Sequence, residues 1–191
     1  MLMLAAALLA QAAVAAAPQP KAITPSQKPA GQVGACAWNR LELADRTRIL
    51  EAYHRDRNEG LSILVNLDGP VDAALRACAP RGNVASVFLH RAIWAEMTQT
   101  GAAREVASAG VDRAGLDAAW TRSAQSARTC LHNRLGPNFG EATPNCADDA
   151  EGDMAKGLNI QSVRLREQAS IYFLAKAEAE WAETLIANSP F

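Results

Sequence analysis

Four cysteines, none arranged as C-x-x-C, follow an uncharged, alanine-rich start, and no other feature of this chain constrains its fold as tightly. Residues 2–17 carry no charge and are dominated by Ala and Leu, as in the apolar region of a secretory signal peptide. No Lys or Arg precedes that run. Small residues at Ala13 and Ala15, or at Val14 and Ala16, satisfy the cleavage pattern, whereas Pro18 disfavours a cut after Ala17. The run is too short and too alanine-rich for a spanning helix, which needs roughly 20 strongly apolar residues. Val33-Gly34-Ala35-Cys36 loosely resembles a lipobox, but a Pro- and Lys-containing stretch separates it from the apolar run.

The expected organisation is therefore a signal peptide over 1–16, a flexible Pro-rich tether over 17–35, and a helical domain over 36–191. The expected location is the periplasm or the exterior, with no membrane span once the signal is removed.

An even number of cysteines in an exported chain reads as two disulfides. Of the three possible connectivities, the sequential one, Cys36–Cys78 and Cys130–Cys146, closes the shorter loops. Loops of roughly 40 and 15 residues would contribute about 4 and about 3 kcal/mol by restricting the unfolded chain. Without C-x-x-C there is no thioredoxin-like redox centre or zinc ribbon, and without C-x-x-C-H no covalent haem. A net charge of −1 with alternating signs leaves no footprint for nucleic acid or an anionic membrane.

Beyond the tether the periodicity is helical, and no run of alternating β-branched residues competes with it. Leu43, Ile49, Leu50 and Tyr53 predict a helix over 42–55, with Glu51 and Arg55 in the favourable i,i+4 order. A short apolar piece, 61–67, ends at the turn signal Asp68-Gly69-Pro70, and Pro70 can open a short helix through Cys78. Asn83 is a plausible cap for a helix over 84–100 that is apolar on more than one side, which marks it as central. Asp112 caps a helix over 113–134, where Leu116, Trp120, Ala124, Ala127 and Leu131 recur at helical spacing. An irregular stretch, 135–153, then leads to a long helix over 158–187. A loop that long is usually functional or fastened, and a Cys130–Cys146 link would fasten it. The fold class is all-α: a bundle of four main helices plus short ones, stapled by two disulfides.

His54, His90 and His132 fall on three different predicted helices and could converge on a metal. Glu51-x-x-His54 has the i,i+3 spacing used in di-iron bundles, but Val87 and Thr129 stand where the other histidines would need a glutamate. Asp148 to Asp153 is acidic, yet an EF-hand register puts Ala147 and Leu158 at ligand positions, so it fails as a calcium loop. Those acids instead suit the positive end of a following helix. Arg91 sits on the stripe of Val84, Val87, Phe88 and Trp94, where a guanidinium requires a carboxylate or a ligand anion. His90, Arg91 and Trp94 are accordingly the candidate ligand-binding residues. The four tryptophans, Trp38, Trp94, Trp120 and Trp181, read as core interlocks between segments.

G-x-S-x-G, S-x-x-K, H-E-x-x-H and a glycine-rich phosphate loop are all missing from the chain. The expected function is non-enzymatic: an exported helical protein binding a protein partner or small ligand in the periplasm, without metal or cofactor. The alternatives are a cell-envelope hydrolase using carboxylate or histidine acid–base chemistry, and a metal-binding bundle.

Overall fold

A helix with apolar side chains on several faces must be covered from several sides, and two long helices of this kind organise the chain. The computed structural model describes residues 32–79, 84–135 and 150–189. In chain order its helices are α1 (Val33–Arg40), α2 (Leu43–Arg55), α3 (Arg57–Val65), α4 (Asp68–Cys78), α5 (Ser86–Val106), α6 (Arg113–Arg122), α7 (Gln125–Arg134), α8 (Ala150–Lys156) and α9 (Val163–Asn188). A 3-10 turn, Ala107–Ala109, closes α5, and no strand occurs among the described residues.

Helices α5 and α9 form an antiparallel spine. Phe88 meets Trp181, Arg91 meets Glu178, and Glu105 meets Arg164, so one helix descends as the other rises. Ala92, Ile93, Met97, Ala102 and Val106 of α5 are buried with Ala169, Tyr172, Phe173 and Ala177 of α9. Small residues let the two backbones approach, and the aromatic rings fill what remains. The other described helices, none longer than the 13 residues of α2, surround this pair.

The all-helical expectation holds, and several boundaries differ for physical reasons. The third expected main helix is two helices, because Ser123 takes an extended backbone and its hydroxyl donates to the Trp120 carbonyl. Among the described residues a two-helix spine with shorter neighbours is therefore seen, rather than the expected four main helices plus short ones. Asp112 does cap α6, accepting from the Gly115 amide at 2.8 Å. Asp68-Gly69-Pro70 is the first turn of α4 rather than a break, a position where proline's missing N–H costs nothing. The last expected helix is preceded by α8 and interrupted at Asn159, whose φ of 55° is left-handed. Helix α1 begins at Val33, three residues inside the segment expected as tether, and Val33 is buried.

One disulfide is seen among the described residues, Cys36–Cys78, the first of the expected pairs, joining α1 to α4. Cys130 is not free, and Cys146 lies outside the described residues. So do the signal segment, most of the tether, Asn83, Asp148, Asp149 and most of the irregular stretch. No described helix is long and apolar enough to cross a membrane.

Candidate functional site

His90, Arg91 and Trp94 do lie together near the start of α5; the two charged or polar side chains are engaged with the protein itself, while the buried Trp94 indole N–H has no hydrogen-bond partner among the described residues. The His90 ring is held on both sides, Nδ1 by the Ser86 carbonyl at 2.9 Å and Nε2 by Asp72 Oδ1 of α4 at 3.3 Å. Its ring meets that of Trp94 edge-on at 6.1 Å. The Arg91 guanidinium lies 5.0 Å over the Trp181 ring, with Glu178 Oε1 at 4.0 Å. Burial pushes the Glu178 carboxyl above its ordinary range, and Arg91 opposes that. The carboxylate that the sequence demanded for Arg91 thus comes from α9. A histidine fixed at both nitrogens is poorly placed to exchange a proton with a substrate. The trio works chiefly as an interlock among α4, α5 and α9.

The three histidines do not converge. His54 pairs with Glu105, His90 with Asp72, and His132 with Glu180 at 3.0 Å, three separate carboxylates on different elements. No group of three metal-ligating side chains gathers among the described residues.

The other buried polar groups are structural. Glu96, 7 % exposed on the spine, takes a two-pronged bond from Arg113 of α6 at 2.6 and 2.8 Å. Asp117 accepts from Lys176 Nζ at 2.7 Å and from the Tyr172 hydroxyl at 2.8 Å. Burial pushes the Asp117 carboxyl up, but those two donors outweigh it and hold it below the usual range. Glu180 takes the Trp120 indole N–H at 2.8 Å, while Trp120 stacks on Phe173. Each interaction ties a short helix to the spine.

Glu183 of α9 plays a different part. It reaches the amino end of α1 and accepts from the Gly34 amide at 3.1 Å, capping a helix whose own cap residue, Gln32, contributes no side-chain bond. Gly34 is required there because any Cβ would collide with the Ala92 carbonyl of α5. Burial raises the Glu183 carboxyl to about 7, against the pull of the Gly34 and Val33 amides.

An opening of ligand size lies elsewhere among the described residues, where the carboxyl ends of α2 and α5 meet. It is a shallow cleft of about 390 Å³ lined by Glu51, His54 and Arg55 from α2 and by Arg104, Glu105 and Ser108 from the end of α5 and its 3-10 turn. That volume falls in the range of small-molecule sites, ~300–1,000 Å³. Glu105 is its fixed point: it pairs with His54 Nδ1 and accepts from Arg164 Nη2 of α9 at 3.2 Å. Its side chain is only 9 % exposed, so the charge is both neutralised and locked. Below the cleft, Gly101 admits the Tyr53 ring, which sits 2.6 Å from where a Cβ would be, and the Tyr53 hydroxyl donates to Gln168. Tyr53 is held near α9, its hydroxyl raised to about 12 mainly by burial.

Glu51 and His54 stood out in the sequence as an i,i+3 pair, but for metal chemistry. Arg104 and Glu105, some fifty positions away, carried no signal, because a charge pair near a helix end looks like ordinary solvated surface. No family model, curated protein or solved structure matches this chain. Fold and site therefore define an all-helical protein with a polar cleft beside its two-helix spine.

Proposed function

We propose that this is an exported, non-enzymatic binding protein that holds a small polar ligand in the cleft between α2 and α5. The observation that carries the reading is Glu105, locked between His54 and Arg164 in a cleft of ligand size. A concavity whose polar wall is already fixed need not reorganise to receive a ligand. The hydrolase alternative calls for carboxylate or histidine acid–base chemistry, and His90, its histidine, is already fixed by Ser86 and Asp72. A protein partner would favour a broad apolar face. The large hydrophobics that are exposed, Leu43, Val65, Val87 and Val163, occur one on each of four helices.

Export to the periplasm is the second part of the reading. It is supported by the alanine-rich start and by the Cys36–Cys78 bond, which suits an oxidising compartment. Cys146 is the partner we assign to Cys130, and a single domain beginning at Val33 folds behind the tether.

Thermal melting against a panel of small polar molecules tests the binding claim. A ligand at a hundred times its Kd adds about 2.7 kcal/mol to stability. Ser108→Trp, at an exposed position on the cleft wall, should abolish that gain by filling the space. A gain that survives Ser108→Trp, or no gain with any molecule, contradicts the reading. Cell fractionation tests export: the chain should be recovered from the periplasm with 1–16 removed and all four cysteines oxidised. An unprocessed cytosolic chain with free thiols would contradict it.

A further inference from the structure

The charges lining the cleft fall into two groups. His54 and Glu105 satisfy each other, with Arg164 behind them. Arg55 forks onto Glu59 at 2.6 and 3.2 Å, and the Ser108 hydroxyl donates to the Glu105 carbonyl at 2.9 Å. Glu51 of α2 and Arg104 of α5 remain, both exposed and, among the described residues, making no side-chain hydrogen bond or ion pair, although Glu51 also feels the Arg55 guanidinium one turn on. They have opposite signs and stand on different helices of the same opening.

A ligand that is only anionic would meet Glu51, and one that is only cationic would meet Arg104. A molecule carrying both charges satisfies both walls. Helices in contact have axes ~8–10 Å apart, which favours charges separated along a short backbone over charges on one carbon. The geometry points to a short zwitterionic peptide as the ligand class, its carboxylate on Arg104 and its ammonium on Glu51. This assignment rests on the small-ligand reading above and adds the chemistry of what is held. The guanidinium can take the carboxylate with two parallel N–H donors, while the Glu51 carboxylate accepts from the ammonium. Glu105, already neutralised, neither repels the first nor competes for the second.

The test is calorimetric titration of the full chain with disulfides intact, at pH 6.5, where a peptide amino terminus stays protonated. The probes are L-alanyl-L-alanine, its N-acetyl derivative, which keeps only the negative charge, and its amide, which keeps only the positive one. Each blocked end should weaken binding about threefold to tenfold, as expected for a half-exposed charged contact. Arg104→Gln should erase the difference between the dipeptide and its amide. Glu51→Gln should erase the difference between the dipeptide and its N-acetyl derivative. Both side chains are exposed, so both variants should fold. Equal binding of all three probes, lost in Ser108→Trp, overturns the zwitterion assignment and leaves the small-ligand reading standing. So does silence of the dipeptide when another polar molecule binds in the cleft. Silence of every molecule ends both.

Discussion

Replacing Glu183 by glutamine should remove a pH dependence that the fold of α1 creates. In the folded chain the carboxyl sits at about 7, against an ordinary 4.5. At ~1.4 kcal/mol per pH unit that difference corresponds to about 3 kcal/mol, and partial exposure of the group discounts it to about 2 kcal/mol. Because the folded value is raised, folding favours the protonated acid. The stabilisation is complete below the unfolded value near 4.5 and is lost as the pH rises through about 7. Glutamine keeps an oxygen for the Gly34 amide but does not ionise. Its NH2 replaces Oε2, a buried atom without a hydrogen-bond partner among the described residues, at a cost of about 1 kcal/mol that does not change with pH. The informative quantity is therefore the difference between variant and parent at two pH values. Urea unfolding at pH 5 and pH 8 should show the variant gaining about 2 kcal/mol on the parent between them. Other titrating groups are common to both chains and cancel. Parallel pH profiles would mean that Glu183 stays ionised and hydrated, and the sealed junction of α1, α5 and α9 would be refuted.

Three further perturbations probe the frame. Replacing both Cys36 and Cys78 by alanine should cost about 4 kcal/mol in chemical unfolding, given the 42-residue separation of the bridge; a loss below 1 kcal/mol would mean that α1 is held by packing alone. Gly101→Ala should cost about 1–3 kcal/mol, because the new methyl group meets the Tyr53 ring at 2.6 Å, and an unchanged melting temperature would contradict that packing. Lys176→Met should cost about 1 kcal/mol at pH 7 by removing a donor from Asp117. Since Asp117 is held below its usual range, that stabilisation exists above pH 3.8 and fades as the pH falls through the folded value, so the gap between variant and parent should close in acid.

What the sequence reveals of this fold follows from where the forces act. Helices α2, α5 and α9 are legible because long apolar periodicities span them, and the α6 cap because Asp112 acts on its own neighbours. Cys36–Cys78 is legible from loop-closure arithmetic. Helix α1 is not, since eight residues with an inward glycine have little helical tendency of their own. Its order comes from the disulfide, from Glu183 and from contact with Ala92, all distant in sequence. The break at Ser123 is hidden for the opposite reason: Leu116, Trp120, Ala124, Ala127 and Leu131 keep one period straight across it. The need of Arg91 for a carboxylate is legible from its place on an apolar stripe, but that Glu178 of α9 supplies it depends on how the two helices pack. The cleft was half visible in Glu51 and His54, and its other wall depends on how α2 lies across the end of α5.

The claim that the cleft is the binding site is tested most directly by backbone amide shifts recorded while small polar molecules are added to the full chain. The account predicts shifts concentrated at 51–55 and 104–108, with little change at 88–94 and 178–181. Shifts centred on His90, Arg91, Trp94 and Trp181 would contradict it and return the site to the interlock at the other end of the spine.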